Sequence, residues 1–272
     1  MIPKTREDAE IAIKVCAAAQ GDRFDLTACA LACALHENPD RNVAEALEVL
    51  ASITASVQRR APKTAQDFSE LLFGEFGFGG PQGQYNDPNN CDVIHILTSR
   101  AGLPVGLGHV WRHAARVVKA PLFGTDTPGH FIMRLETHCE PVFIDPFEGG
   151  SIVTSDDLEQ IAQRAGLKSV SDRMLRPVSD RVMAVRLQTN LVARARERGD
   201  TQAWVRAAHR RAILAPGNYQ VALDYSQAAE AAGQLKTALQ WSHLANQLPG
   251  APSKADGDKV DARTQALHYK LN

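Results

Sequence analysis

At 272 residues with 44% apolar side chains, the chain is long enough for one or two domains with a substantial core. Thirty basic residues against thirty-one acidic give a net charge of −1, which excludes the broad basic face that nucleic acid or an anionic membrane would need. The five cysteines, Cys16, Cys29, Cys33, Cys91 and Cys139, are odd in number and lack the spacing of a zinc site or a disulfide framework. A cytoplasmic protein without metal or other cofactor is expected.

The N-terminus, "MIPKTREDAEIAIKVCAAAQ", interrupts its apolar residues with charges at helical spacing, unlike a signal peptide, and no run approaches the ~20 apolar residues that span a bilayer. From Asp8 to about Ser56 three amphipathic stretches predict three helices: "EDAEIAIKVCAAA", "DLTACALACALHE" and "NVAEALEVLASITASV". Asp25 and Asn42 are the expected N-caps, with Pro39 at the second break. Cys29 and Cys33, four apart among alanines, read as small core residues. Residues 1–67 thus form a helical N-terminal region.

Residues 68–178 concentrate glycine, proline and strand-forming residues. "GEFGFGGPQGQYNDPNN" reads as a long loop with a flexible glycine rim. Two helices follow, "CDVIHILTSRAG" and "PVGLGHVWRHAARVVKA", with Pro104 suited to the first turn of the second. His109 and His113 have the i, i+4 spacing of a zinc helix but no glutamate after the first, so one exposed histidine and one polar neighbour is the expected arrangement. Strands are expected at Leu122 to Phe123, Phe131 to Leu135 and Val142 to Ile144, with His138 and Cys139 in a hairpin turn.

"TDTPGHFIMRLETHCEPVFIDPFEGG" places His130 and Asp145 on the two arms of that hairpin. Such a pair is either two members of a catalytic triad or a tie between strands. Beyond residue 178, "RERGDTQAWVRAAHRRAILAPGN" and "EAAGQLKTALQWSHLANQLPG" carry Gly199 and Gly233 thirty-four residues apart, the tetratricopeptide period. Residues 179–272 are therefore read as a repeat-like helical region, with "SKADGDKVDARTQALHYK" as its capping helix.

"RAGLPVGLGHVWRHAARVVKAPLFG", "PGHF" and "FIDPF" together resemble the transglutaminase-like superfamily, in which a helix beginning with a nucleophilic cysteine packs on a sheet carrying histidine and then aspartate. Over nearly its whole length the chain is similar to the bacterial SirB family, through "LLFGEFGFGG", "YNDPNN", "RAGLP", "TPGHF" and "IDPFEGG". The resemblance implies a mostly helical α+β fold. Its core, of papain-like cysteine-protease type with a small antiparallel sheet, lies between an N-terminal helical part and tetratricopeptide-like helices. It gives His130 the role of base and Asp145 that of its orienter.

In that register Pro104 occupies the nucleophile position, and Gly106 and Gly108 follow where a hydroxyl would be sought. Proline cannot attack a carbonyl. The first reading is a degenerate core in a regulatory or binding protein. Its pocket is formed by His130, Asp145, Tyr85, Asp87, Asn90 and Gly129, and a protein or peptide partner binds the repeats. The competing reading is an acyl-transfer or amide-cleaving hydrolase using Cys91, His130 and Asp145. Cys91 follows "DPNN" at a helix start, where the helix dipole would activate a thiol. It precedes Pro104 by thirteen residues, so this reading requires the loop from Phe78 to Asn90 to fold back toward His130.

Overall fold

Capping chemistry sets the first helices. The computed structural model describes residues 2–83, 85–251 and 258–271. Thr5 and Asp8 form a capping box at the start of α1 (Arg6–Ala18), each side chain accepting from the other's backbone N–H. Asp25 caps α2 (Leu26–Glu37) by accepting from Ala28 N at 3.0 Å. The cap of α3 (Ala44–Arg60) is Val43, one residue beyond the expected Asn42, whose side chain instead accepts from Ala44 N. Cys29 and Cys33 are buried in the main core, as their alanine-rich face predicts.

The first part of the glycine-rich stretch is anchored by burial and backbone hydrogen bonds. A short helix α4 (Ala65–Ser69) widens into a π turn over Glu70–Glu75, after which Phe78 is fully buried. Gly79 N donates to Arg100 O and Gly80 N to Phe147 O, at 3.0 and 2.8 Å. These bonds draw "FGFGG", "RAG" and "IDPFEGG" into one place. A 3-10 turn, Pro88–Cys91, leads through Asp92 into α5 (Val93–Ser99) and then α6 (Pro104–Val117), with Pro104 at N1.

Four antiparallel strands follow in the order β1 (Leu122–Gly124), β2 (Met133–Leu135), β3 (Val142–Asp145) and β4 (Ser151–Ile152). Met133, Leu135 and Ile144 face the main core, shared with Trp111 of α6. On the other face Ile132 and Val153 pack against Ile161 of α7 (Ser155–Arg164). Strand β4 has only two residues, too few for an alternating pattern. The turn before it needs glycine: Gly150 has φ +82°, and a Cβ there would strike Ser69 and Trp111.

The last third is helical: α8 (Asp180–Glu197), α9 (Thr201–Leu214), α10 (Tyr219–Ala231), α11 (Leu235–Gln247) and α12 (Asp258–Leu271). Gly199 and Gly233 hold equivalent places, each in left-handed conformation after the first helix of a pair, with φ +68° and +74°. Part of the expected capping helix, residues 253–257, lies outside the described residues. Met183, Ala184 and Leu187 of α8 join the main core. Asp180 accepts from Arg112 Nε and Arg116 Nη1 at 2.6 Å each, tying α8 to α6. The mostly helical α+β class expected from the sequence is the one observed. No helix among the described residues is long and apolar enough to cross a membrane.

Candidate functional site

The β2–β3 hairpin positions the central pair. Met133 pairs with Ile144, so Asp145, the next residue of β3, stands at the end of the hairpin from which the chain enters β2. His130 lies three residues before β2, just after Gly129, whose φ of +72° turns the chain back toward the sheet. His130 Nε2 and Asp145 Oδ2 are 2.5 Å apart. A carboxylate only accepts, so Nε2 carries the proton, and Nδ1 makes no hydrogen bond among the described residues. Asp145 Oδ1 accepts from Phe147 N at 2.8 Å, which fixes the carboxylate from its other side.

His130 stands between two cavities. One, of about 240 Å³, also contains Asp145, Glu148, Ser151 and Arg164. The other, of about 310 Å³, is a cleft formed by the start of α6 (Leu103 to Val105), the turn at Gly129 and Phe131, Tyr85, Asn86 and one face of α8. Pro104 therefore shares a cleft with His130, as its register implies. Among the described lining of this cleft there is no cysteine, serine or threonine. Deeper in α6 the two glycines are closely covered: a Cβ at Gly106 would meet the end of the Ile96 side chain, and one at Gly108 would strike the Phe131 ring. Ser151 lies on the Asp145 side, where Nε2 is already engaged, and makes no hydrogen bond to His130.

Cys91, the nucleophile of the competing hydrolase reading, is not an accessible thiol at an open helix start. It ends the 3-10 turn, while Asp92 caps α5 by accepting from His95 N. The thiol is buried, and that burial pushes its pKa up to about 12, against a modest opposing pull from Arg194. It lines a separate cavity of about 200 Å³ among α2, α8 and α9, with Cys33 and Arg210, and makes no hydrogen bond to His130. The loop from Phe78 to Asn90 is anchored by Phe78 and Asn90 instead of carrying Cys91 to the pair.

The other expected binding residues divide between lining and support. Tyr85 and Gly129 line the cleft. Asp87 caps the 3-10 turn through Asn89 N, and Asn90 is buried, its carbonyl accepting from Leu103 N at 2.9 Å. Sequence reading missed Arg186, Asn190 and Arg194, which line the cleft from α8. Their i, i+4, i+8 spacing was the available signal, since it puts three polar side chains on one helical face. His109 and His113 are not an exposed residue and its neighbour. His109 is buried with Nδ1 2.7 Å from Val105 O, and burial lowers its pKa to about 4. His113 is held between the Thr27 and Thr54 hydroxyls at 3.1 Å.

Glu10, His36 and His209 are the one group among the described residues with metal-ligand spacing. Arg210 Nη1, 3.2 Å away, donates to His36 Nδ1, so His36 turns an N–H toward Glu10 in place of a lone pair. Burial, helped by Arg210, lowers the His36 pKa to about 3. This cluster is a poor metal site.

The profile described as the transglutaminase-like superfamily matches residues 41–189, more than half of the chain. The chain belongs to the transglutaminase-like superfamily. A UPF0162 protein of Xylella fastidiosa (strain Temecula1 / ATCC 700964) is 31% identical over 145 residues, 52% of this chain and 50% of that protein. A UPF0162 protein of Vibrio cholerae serotype O1 is 32% identical over 93 residues, 34% of each chain. The match spans about half, or less, of the length of these curated relatives. A transglutaminase-like core in a bacterial family, inferred above from short motifs, is thereby borne out. Among solved structures, one of menin, titled as revealing the binding site for the Mixed Lineage Leukemia (MLL) protein, aligns with a TM-score of 0.43 at 10% identity. That alignment covers 95% of this chain and 74% of that one. So slight a likeness assigns neither fold nor function to the transglutaminase-like chain.

Proposed function

We propose that this chain is a binding protein built on a transglutaminase-like core that no longer carries out acyl transfer. The cleft beside His130 and Asp145 is its ligand pocket, and the helices from α8 to α11 offer a tetratricopeptide-type surface to a protein or peptide partner. One observation carries the reading: Pro104 shares the cleft with His130, and no thiol or aliphatic hydroxyl lines it among the described residues. A base without a nucleophile cannot form an acyl-enzyme. The paired glycines Gly199 and Gly233, thirty-four residues apart, support the repeat-type surface.

The test is a burst assay with p-nitrophenyl acetate, in which attack by a thiol would release p-nitrophenolate and leave a thioester. The wild-type chain should show no burst, and Pro104→Cys should create one that His130→Ala diminishes. A wild-type burst abolished by Cys91→Ala would overturn the proposal in favour of a hydrolase.

A further inference from the structure

The cleft beside His130 holds a guanidinium that its surroundings do not neutralise. Arg194 is 9% exposed and, among the described residues, forms no ion pair. Among the described residues its Nε is buried without a hydrogen-bond partner and its one hydrogen bond is a long one, Nη2 to Tyr85 O at 3.5 Å. Other well-buried arginines are treated differently: Arg112 pairs with Asp180, Arg210 with Glu37 and Arg211 with Asp224, all within 2.8 Å. A buried charge without a counterion is costly, so this exception needs an explanation.

A second, independent feature opens on the same cleft. Helix α6 has fourteen residues, its N-cap Leu103 has no side-chain acceptor, and Pro104 has no N–H. The N–H groups of Val105 and Gly106 find no acceptor among the described residues, and the turn from Leu103 to Val105 lines the cleft. A free helix start attracts negative charge. Arg186 adds to the field, its only carboxylate neighbour among the described residues being the exposed Asp126 at 3.6 Å. Glu197 also lines the cleft, but it is exposed and makes no ion pair with Arg194.

We infer that the cleft receives an oxyanion, the carboxylate or phosphate group of a small ligand or chain end, held by Arg194 and the start of α6 beside His130. This rests on the proposed reading of the cleft as a ligand pocket. It adds the chemical class of what binds there.

The experiment uses the introduced thiol of Pro104→Cys in the full chain as a reporter, alkylated by anionic iodoacetate or by neutral iodoacetamide. Each rate is normalised to that of a free thiol of similar reactivity. We expect a several-fold preference for iodoacetate, reduced to near unity by Arg194→Met and kept by Glu197→Gln. Inorganic phosphate and acetate are the competitors, and stronger protection by one of them identifies the group. Equal normalised rates with both reagents would overturn the oxyanion inference while leaving an accessible pocket. A thiol inert to both would defeat the pocket reading itself. Should Pro104→Cys not fold, the His130 imidazole resonances of the wild-type chain serve instead. Phosphate or acetate at tens of millimolar should shift them, in an Arg194-dependent way. No shift, or an equal shift in Arg194→Met, would overturn the inference.

Discussion

Removing the two halves of the His130–Asp145 pair separately distinguishes a site from a strut. The side chain of His130 is 24% exposed, lies between cavities of about 240 and 310 Å³, and makes one hydrogen bond among the described residues. In His130→Ala, water can reach Asp145 Oδ2 from either cavity and replace the lost donor, so the loss should stay below roughly 1 kcal/mol. Asp145 is 7% exposed and also holds the turn into β4 by accepting from Phe147 N. Asp145→Ala leaves that backbone donor and the imidazole without their acceptor. At about 1.5 to 3 kcal/mol for a hydrogen bond to a charged group, with partial relief from water, the loss should reach roughly 3 kcal/mol. Urea unfolding of both variants, with equal slopes, measures the two. A His130→Ala loss above about 2 kcal/mol, or equal losses in the two variants, would show that the histidine is a structural tie and that the cleft has no special claim to it.

Three further outcomes follow from the same packing. In the native chain, brief alkylation read by mass spectrometry should modify exposed Cys139 well before buried Cys91, and Cys91 no faster than the buried Cys29 and Cys33, the reverse of what an activated helix-start thiol would do; early labelling of Cys91 would restore it as a nucleophile. Asp180→Ala strands Arg112 and Arg116 at the junction of α6 and α8 and should cost roughly 3 kcal/mol in urea unfolding, whereas a loss under about 1 would mean that the junction rests on apolar contacts alone. The pH dependence of stability should carry the mark of His109. Unfolded histidine takes up a proton as pH falls through about 6.5, but buried His109 stays neutral down to about 4. Between those values the unfolded state binds more protons, so stability declines as pH falls. His109→Leu should flatten that decline by up to about 1.4 kcal/mol per pH unit, and an unchanged slope would show that His109 is already protonated in the fold.

Local rules carried much of the architecture. Apolar spacing and caps such as Asp25 and Asp200 determine helices whatever surrounds them, because their partners lie within one turn. The period from Gly199 to Gly233 is equally local, a left-handed residue required after each first helix. The motifs around His130, Asp145 and Pro104 carried the family and the register that sets a proline at the superfamily's nucleophile position, since both are properties of residue type and spacing. What the sequence could not fix was which side chains meet across long separations. Whether Cys91 faces water or the α2–α8 cavity depends on helices some sixty residues before and a hundred after it, and burial then reverses the pKa shift expected at a helix start. The two-residue β4 exists only because β3 is there to pair with it. Arg194 acquires meaning only when α8 packs against the start of α6, since a guanidinium lacks a counterion only in relation to everything folded around it.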